Sequence, residues 1–262
     1  MAGFGARSSA LWDIAMVAHP AVTLLLDLSD GDCLVCDAGG RQEGGSVVVG
    51  LLPGELRVVG RGVGECLQIR LEPATAAVVL GGSTELCGSL ASLAEVWGRD
   101  AERTADRLRA AASWDERFAI AAEVLGGRVE ARRPVDPEVA YTWRRTLGSR
   151  GRLRVDDLAD EVGWSRKRLW SRFRAQLGIT PKRAARLVRF DHAAHLLAAG
   201  HAPAGVADES GYVDQSHLHR EVKAFAGLTP SAVAAAPWLA IDDVAWPASS
   251  PPRPVTGGRS LR

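Results

Sequence analysis

The sequence predicts an α+β protein with two unlike parts. The N-terminal part is β-rich with some helices, and the C-terminal part is all-α, two helix-turn-helix units joined by a long helix. Three observations carry this. Residues 20 to 80 alternate short Val/Leu-rich runs with Gly, Asp and Pro turns, the apolar period becomes helical from about residue 89, and beyond residue 150 one helical unit occurs twice.

The β-rich part is read from "AVTLLLDL", "CLVCDA", "GSVVVGLL", "LRVVG" and "CLQIRLEP", whose close spacing and turn residues suit an antiparallel sandwich or small barrel. "GRGVGE" at 60 to 65 has glycines but no helix after it, so it predicts a β-turn or bulge, not a nucleotide loop. The helices follow in "SLASLAEVW", "DAERTADRLRAAA" and "SWDERFAIAAEVL", the last opening on Ser113 with Glu116 three residues later, the spacing of a capping box. "GGRVEARRPVDPE" breaks this pattern, and Asp136 with Pro137 marks a new helix as N-cap and first helical residue. The expected division is therefore 1–134, 135–236 and a Pro-, Ser- and Gly-rich tail at 237–262, where two tryptophans could dock back.

Composition excludes several classes. The 262 residues are 47% apolar and 24% charged, as in globular proteins, with no apolar run of about 18 residues and no secretory pattern at the start, which predicts a cytoplasmic protein. No nucleophile-elbow, Walker or HExxH pattern occurs, so no catalytic activity and no cofactor are expected. The net charge of +1 conceals a division: residues 1–149 carry −5, and residues 150–190 carry +8, from 12 basic and 4 acidic side chains. Such a basic density suits a polyanion.

The repeat specifies how that charge is displayed. "LADEVGW" at 158–164 returns as "VADESGY" at 206–212, and "GITP" at 178–181 returns as "GLTP" at 227–230, at offsets of 48 and 49. Each copy reads as a short helix, a tight turn at Gly163 or Gly211, and a second helix started by Ser165 or Asp214. In the first copy Leu169, Phe173 and Leu177 form an apolar stripe opposite Lys167, Ser171 and Arg174, with Arg168 and Trp170 at its edges. In the second, Leu218, Val222 and Phe225 oppose Ser216, Arg220 and Lys223, with Gln215 at the helix start. Between the copies Pro181 to Ala199 reads as one helix about 28 Å long, a rod suited to recognition helices one turn of B-DNA apart, roughly 34 Å. Arg, Lys, Gln and Ser are the side chains that pair with base edges in the major groove.

These residues carry a family resemblance. "LADEVGWSRKRLWSRFRAQLGITPKR" together with "VADESGYVDQSHLHREVKAFAGLTP" resembles the AraC/XylS-type DNA-binding domain of bacterial transcription regulators, over roughly residues 150 to 235. The resemblance implies a seven-helix domain in a transcription factor, with base-reading positions at Lys167, Trp170 and Ser171 and at Gln215, Ser216, His217, His219 and Arg220. Two positions depart from the family pattern: Ser171 stands where Arg is usual, and Val222 where Phe is usual. "GECLQIRLEPATAAVVLG" followed by "LASLAEVWG" is similar to the sensory-type domain of some AraC-like regulators, which implies a cupin-like fold.

The remaining basic residues are expected at phosphates: Arg166, Arg168, Arg172, Arg174, Lys182, Arg183, Arg186, Arg189 and Lys223. Truncating Arg186 is expected to weaken all DNA sequences alike. The implied partners are double-stranded DNA, with RNA polymerase and a small-molecule effector as further candidates, no membrane, and a monomer or homodimer.

The rival reading is a metal or methyl-accepting module built on Cys33, Cys36, Cys66 and Cys87, since some repair regulators pair an AraC-type domain with a zinc-bound four-cysteine unit. Here a single close-spaced pair sits in a strand-like run and the others stand alone, so buried structural cysteines are expected. His217 and His219 lie about 200° apart around a helix and cannot close on one metal. His192 and His195 lie one turn apart with no matching carboxylate or cysteine, which predicts packed or solvated histidines.

Overall fold

In the computed structural model the described residues are 1–29, 33–37, 39–51, 54–81, 90–131 and 134–235. Cys87 and the stretch 237–262, with Trp238 and Trp246, lie outside them.

Among the described residues the N-terminal part is built on seven antiparallel strands: β1 (Ala2–Met16), β2 (Val22–Asp27), β3 (Cys33–Asp37), β4 (Gln42–Gly44), β5 (Val47–Val49), β6 (Leu56–Leu71) and β7 (Leu90–Ser92). Strand β6 is the spine. Along one edge it pairs with β1 from Leu56↔Met16 to Gln68↔Ala2, and along the other it takes β3 on residues 56–60 and β2 on residues 66–71. The order continues through β5 to β7, and the sheet curls so that its edge strands β4 and β7 come side by side.

Two sequence expectations change here. "LRVVG" and "CLQIRLEP" are one strand, because "GRGVGE" does not turn the chain. The irregularity lies in the partner, between Ser8 and Trp12 of β1, opposite Gly60 and Gly62. The chain does not turn at residues 60–65, and the extra residues of the bulge belong to β1, across the ladder from these glycines. Residues 90–92, expected to be helical, extend the sheet as β7 by pairing with Val47, Val48 and Val49.

Both sheet faces are buried. Leu25, Val35, Val47, Val49, Leu56 and Leu90 form one cluster. Val22, Leu24, Leu26, Val48, Leu67 and Ile69 point the other way into a larger core that also takes in helical residues. Alternate strand residues thus enter different cores, which is why β2 is buried at every position and shows no polar alternation.

Helix α1 (Pro73–Val79) follows β6 directly and starts on a proline at its first position. It packs against α4 (Trp114–Glu130), α5 (Pro137–Gly148) and α7 (Arg166–Leu177), so the larger core runs without a break from the sheet into the C-terminal helices. Helices α2 (Leu93–Trp97) and α3 (Arg99–Ala110) precede α4, and α3 pairs with α4 through Arg107–Glu123 at 2.8 Å and Asp100–Arg128 at 2.9 Å. Ser113 caps α4 by accepting from Glu116 N at 3.2 Å, while the Glu116 carboxylate reaches back to Ala112 N at 2.8 Å, one residue before the expected box partner.

The C-terminal part adds α6 (Val155–Glu161), α8 (Pro181–Ala198), α9 (Pro203–Glu209), α10 (Gln215–Ala226) and α11 (Pro230–Ala235) to α5 and α7. Among the described residues this makes the seven helices that the resemblance implied. Asp136 is the N-cap residue of α5 as expected, but its side chain makes no capping bond and is turned to Arg172 instead.

Candidate nucleic-acid interface

The two helix-turn-helix units are punctuated identically. In the first, Gly163 has φ +64° and Trp164 N donates to Ala159 O at 3.0 Å; in the second, Gly211 has φ +72° and Tyr212 N donates to Ala207 O at 2.8 Å. A residue with a Cβ is strained in that left-handed conformation, so glycine sets the turn in both copies. Ser165 Oγ then accepts from Arg168 N at 3.2 Å to start α7, and Asp214 Oδ1 accepts from His217 N at 2.6 Å to start α10. The change of offset from 48 to 49 is Val213, one extra residue in the second turn and 87% exposed.

Each second helix is anchored by its apolar stripe. Leu169, Phe173 and Leu177 of α7 are fully buried, as are Leu218 and Val222 of α10, with Phe225 beside them. The opposite stripes are exposed: Lys167, Trp170, Ser171 and Arg174 on α7, and Gln215, Ser216, His219, Arg220 and Lys223 on α10. Seven of the eight base-reading candidates therefore lie on open helix faces. The exception is His217, half-buried with its ring 5.2 Å from Tyr212 in an edge-on contact, and on a different side of α10 from His219.

The nine basic residues expected at phosphates separate into two groups. Arg166, Arg168, Arg174, Lys182, Arg183 and Lys223 are exposed. Within that group Arg168 lies 4.4 Å from the Trp164 ring and Arg174 5.3 Å from the Trp170 ring, contacts that stiffen long side chains without removing them from the surface. Arg166 has an exposed partner, Asp156, at 3.3 Å.

Arg172, Arg186 and Arg189 are bound within the protein. Arg172 forks onto both oxygens of Asp136 at 2.8 and 2.9 Å, Arg186 forks onto Glu221 at 3.0 and 2.6 Å, and Arg189 donates to Gly151 O at 2.9 Å. Sequence reasoning missed these pairings because the carboxylates lie 35 or more positions away. A bidentate guanidinium–carboxylate pair is held by two charge-assisted bonds and is a poor source of free positive charge.

A further latch joins the first unit to the helix behind it. Arg145 of α5 forks onto Glu161 of α6 at 2.8 and 2.7 Å, and Tyr141 Oη donates to the same carboxylate at 3.0 Å. The Arg145 bonds, helped by Tyr141, hold the Glu161 carboxyl at about 2, well below the ordinary carboxylate range.

The described cysteines Cys33, Cys36 and Cys66 are free thiols and half-buried, less enclosed than the buried structural cysteines expected. They sit at the sheet's strand pairs, Cys33 and Cys36 facing Gly60 and Arg57 of β6. Burial pushes the Cys33 thiol up to about 11 and the Cys66 thiol to about 12, so both stay protonated near neutral pH in this fold. Among the described residues no group of three or more His, Cys, Asp and Glu is arranged to hold a metal ion, and no helix is long and apolar enough to cross a membrane. His192 is buried and His195 half-buried, which makes both packed residues of α8.

Comparison with known proteins agrees with this geometry. Residues 158–236 match a family model described as "Helix-turn-helix domain", of AraC type. Over 64 residues the chain is 38% identical to the uncharacterized HTH-type transcriptional regulator YbfI of Bacillus subtilis (strain 168), a match covering 24% of this chain and 23% of that protein. The chain thus spans about a quarter of the curated relative it matches. The structure of ToxT from Vibrio cholerae superposes with a TM-score of 0.50 at 11% identity, over 91% of this chain and 98% of that one, which shows a shared two-part fold of β-rich N-terminal and helical C-terminal regions.

Proposed function

We propose that this chain, whose C-terminal region is an AraC-type helix-turn-helix domain, is a sequence-specific DNA-binding transcriptional regulator that inserts α7 and α10 into successive major grooves. The observation that carries this reading is the pair of identically capped helices. Each is tied to the core by one stripe and shows exposed Arg, Lys, Ser or Gln side chains on the other. The connecting helix α8, 18 residues and so about 27 Å long, suits the separation of adjacent grooves.

In this reading Lys167, Trp170 and Ser171 read bases from α7, and Gln215, Ser216, His219 and Arg220 read them from α10. Arg166, Arg168, Arg174, Lys182, Arg183 and Lys223 position the backbone. The first unit with α8 carries the positive charge, whereas residues 191–231 are net −3, so the first supplies most non-specific affinity and the second most selectivity.

The part before about residue 134 acts as the sensory or dimerisation region, responding to a small molecule or a protein partner. Its support is the unbroken apolar core that leads from the sheet through α1 to α7. Contact with RNA polymerase, and a monomeric or homodimeric state, belong to the same proposal.

The test is selection of duplexes from a random pool by the full chain, followed by titrations with variants. Arg220→Ala or Ser216→Ala should alter preference at one position by about 1–3 kcal/mol. Lys182→Ala should weaken all duplexes alike and flatten the log–log salt slope by about 0.9. If the pool yields no preferred sequence, or if all three variants weaken every duplex equally, the reading fails.

A further inference from the structure

We infer that Arg186 and Glu221 form a positioning latch that sets the rotation of the second recognition helix on the connecting helix, so that Arg186 governs base recognition without touching DNA. The inference rests on the DNA-binding reading above and deepens it.

Glu221 lies on the inner side of α10, among Leu218, Val222 and Phe225, with its side chain 11% exposed. A carboxylate there is costly unless it is paired and hydrogen-bonded. Arg186 of α8 satisfies both oxygens through Nε and Nη2. The fork fixes orientation as well as distance, because two parallel bonds cannot both survive a turn of either helix.

A second contact one helical turn along doubles this registration. Phe190 of α8 stacks on Phe225 of α10 with centroids 4.9 Å apart and planes 21° from parallel, and the Arg186 guanidinium lies 5.8 Å from the same Phe225 ring. Residues 186 and 190 of one helix thus hold residues 221 and 225 of the other. Glu221 directly follows Arg220 in a helix whose outer stripe carries Ser216 and Lys223. At a side-chain radius of about 5–6 Å, a 20° rotation of α10 would move those outer groups by about 2 Å, enough to break a bidentate base contact.

The first unit uses the same device with other residues, Arg172 of α7 on Asp136 at the start of α5. Basic residues of the connecting and recognition helices are therefore divided between holding the helices and meeting the duplex. Arg186, 39% exposed, stands on the holding side.

The experiment compares Arg186→Ala, Arg186→Lys and Glu221→Gln in the full chain, using a duplex selected by the wild-type protein and a random duplex. Backbone-amide hydrogen exchange is measured without DNA. A latch predicts that Arg186→Ala and Glu221→Gln both lose about tenfold on the selected duplex. Random-duplex affinity and salt slope should stay unchanged, exchange should quicken in α10 but not in α7, and Arg186→Lys should recover part of the loss. A phosphate contact predicts the opposite: Arg186→Ala lowers the salt slope by about 0.9 and weakens both duplexes, while Glu221→Gln is neutral or strengthens binding. That pattern, or unaltered α10 exchange in Glu221→Gln, overturns the latch. If no duplex is selected at all, the DNA-binding reading has failed, and the exchange measurement still decides the latch.

Discussion

Acid should weaken this fold through one histidine. His192 is buried on α8, 6% exposed, with Nε2 3.2 Å from Arg150 Nη1. A guanidinium can only donate, so Nε2 must accept and the ring must be neutral in the folded protein. Burial, followed by the charges of Arg150 and Arg152 and by His195, pushes its pKa down from 6.5 to about 4. In the unfolded chain the same ring titrates near its ordinary value of about 6.5. Between these values the unfolded state holds a proton that the folded state refuses, so stability rises with pH across the window. The contribution is complete above about pH 6.5 and is lost as pH falls to about 4. The displacement corresponds to about 3 kcal/mol at 1.36 kcal/mol per unit, a large part of the roughly 5–15 kcal/mol that holds a typical domain. The assay is urea unfolding followed by tryptophan fluorescence at pH 7.5, 6.5, 5.5 and 4.5, for the wild type and for His192→Gln, whose amide oxygen can still accept from Arg150. The wild type should lose roughly 1.4 kcal/mol more than the variant for each unit below pH 6.5. Parallel curves for the two proteins would refute the argument, since other titrating groups are common to both.

Two further outcomes test the packing that presents the recognition helices. Gly151→Ala drives a Cβ into the Ala185 carbonyl oxygen at φ +70°, where both the clash and the left-handed backbone penalise a side chain. It should cost about 3 kcal/mol or more, read as a fall in urea midpoint at unchanged m, and a loss below about 0.5 kcal/mol would show that α8 gives way freely. Phe173→Ala empties a fully buried site 6.5 Å from the Trp143 ring and should cost about 3–5 kcal/mol by the same measurement, with weaker binding of every duplex because α7 loses its anchor.

Much of the C-terminal architecture was legible in the residues alone, for a local reason. Turn glycines at 163 and 211, caps at Ser165 and Asp214, and stripes at three- and four-residue spacing each act within one or two helical turns, and the repeat showed the whole unit twice. The exposed faces of α7 and α10 follow from those stripes, which is why seven of the eight base-reading candidates are solvent-exposed.

The N-terminal sheet was only partly legible. β1 was not foreseen, because "AGFGARSSALWDIAM" has neither the β-branched enrichment nor the alternation of a strand and is held by its partner β6. Likewise β2 and β5 are buried on both faces, so their apolar runs disclose neither register nor partner.

By itself, then, the sequence determined the helix-turn-helix units, their polarity and their charge, since these depend on neighbours within a few positions. Only the tertiary structure decided which basic residues are bound within the protein. Arg172, Arg186 and Arg189 look no different in sequence from Arg174 or Lys182. What separates them is a partner brought close by folding, Asp136, Glu221 or the Gly151 carbonyl, across 35 to 38 residues of chain. A charge-assisted bond depends on distance and direction in space, and both are set only when α5, α8 and α10 have packed.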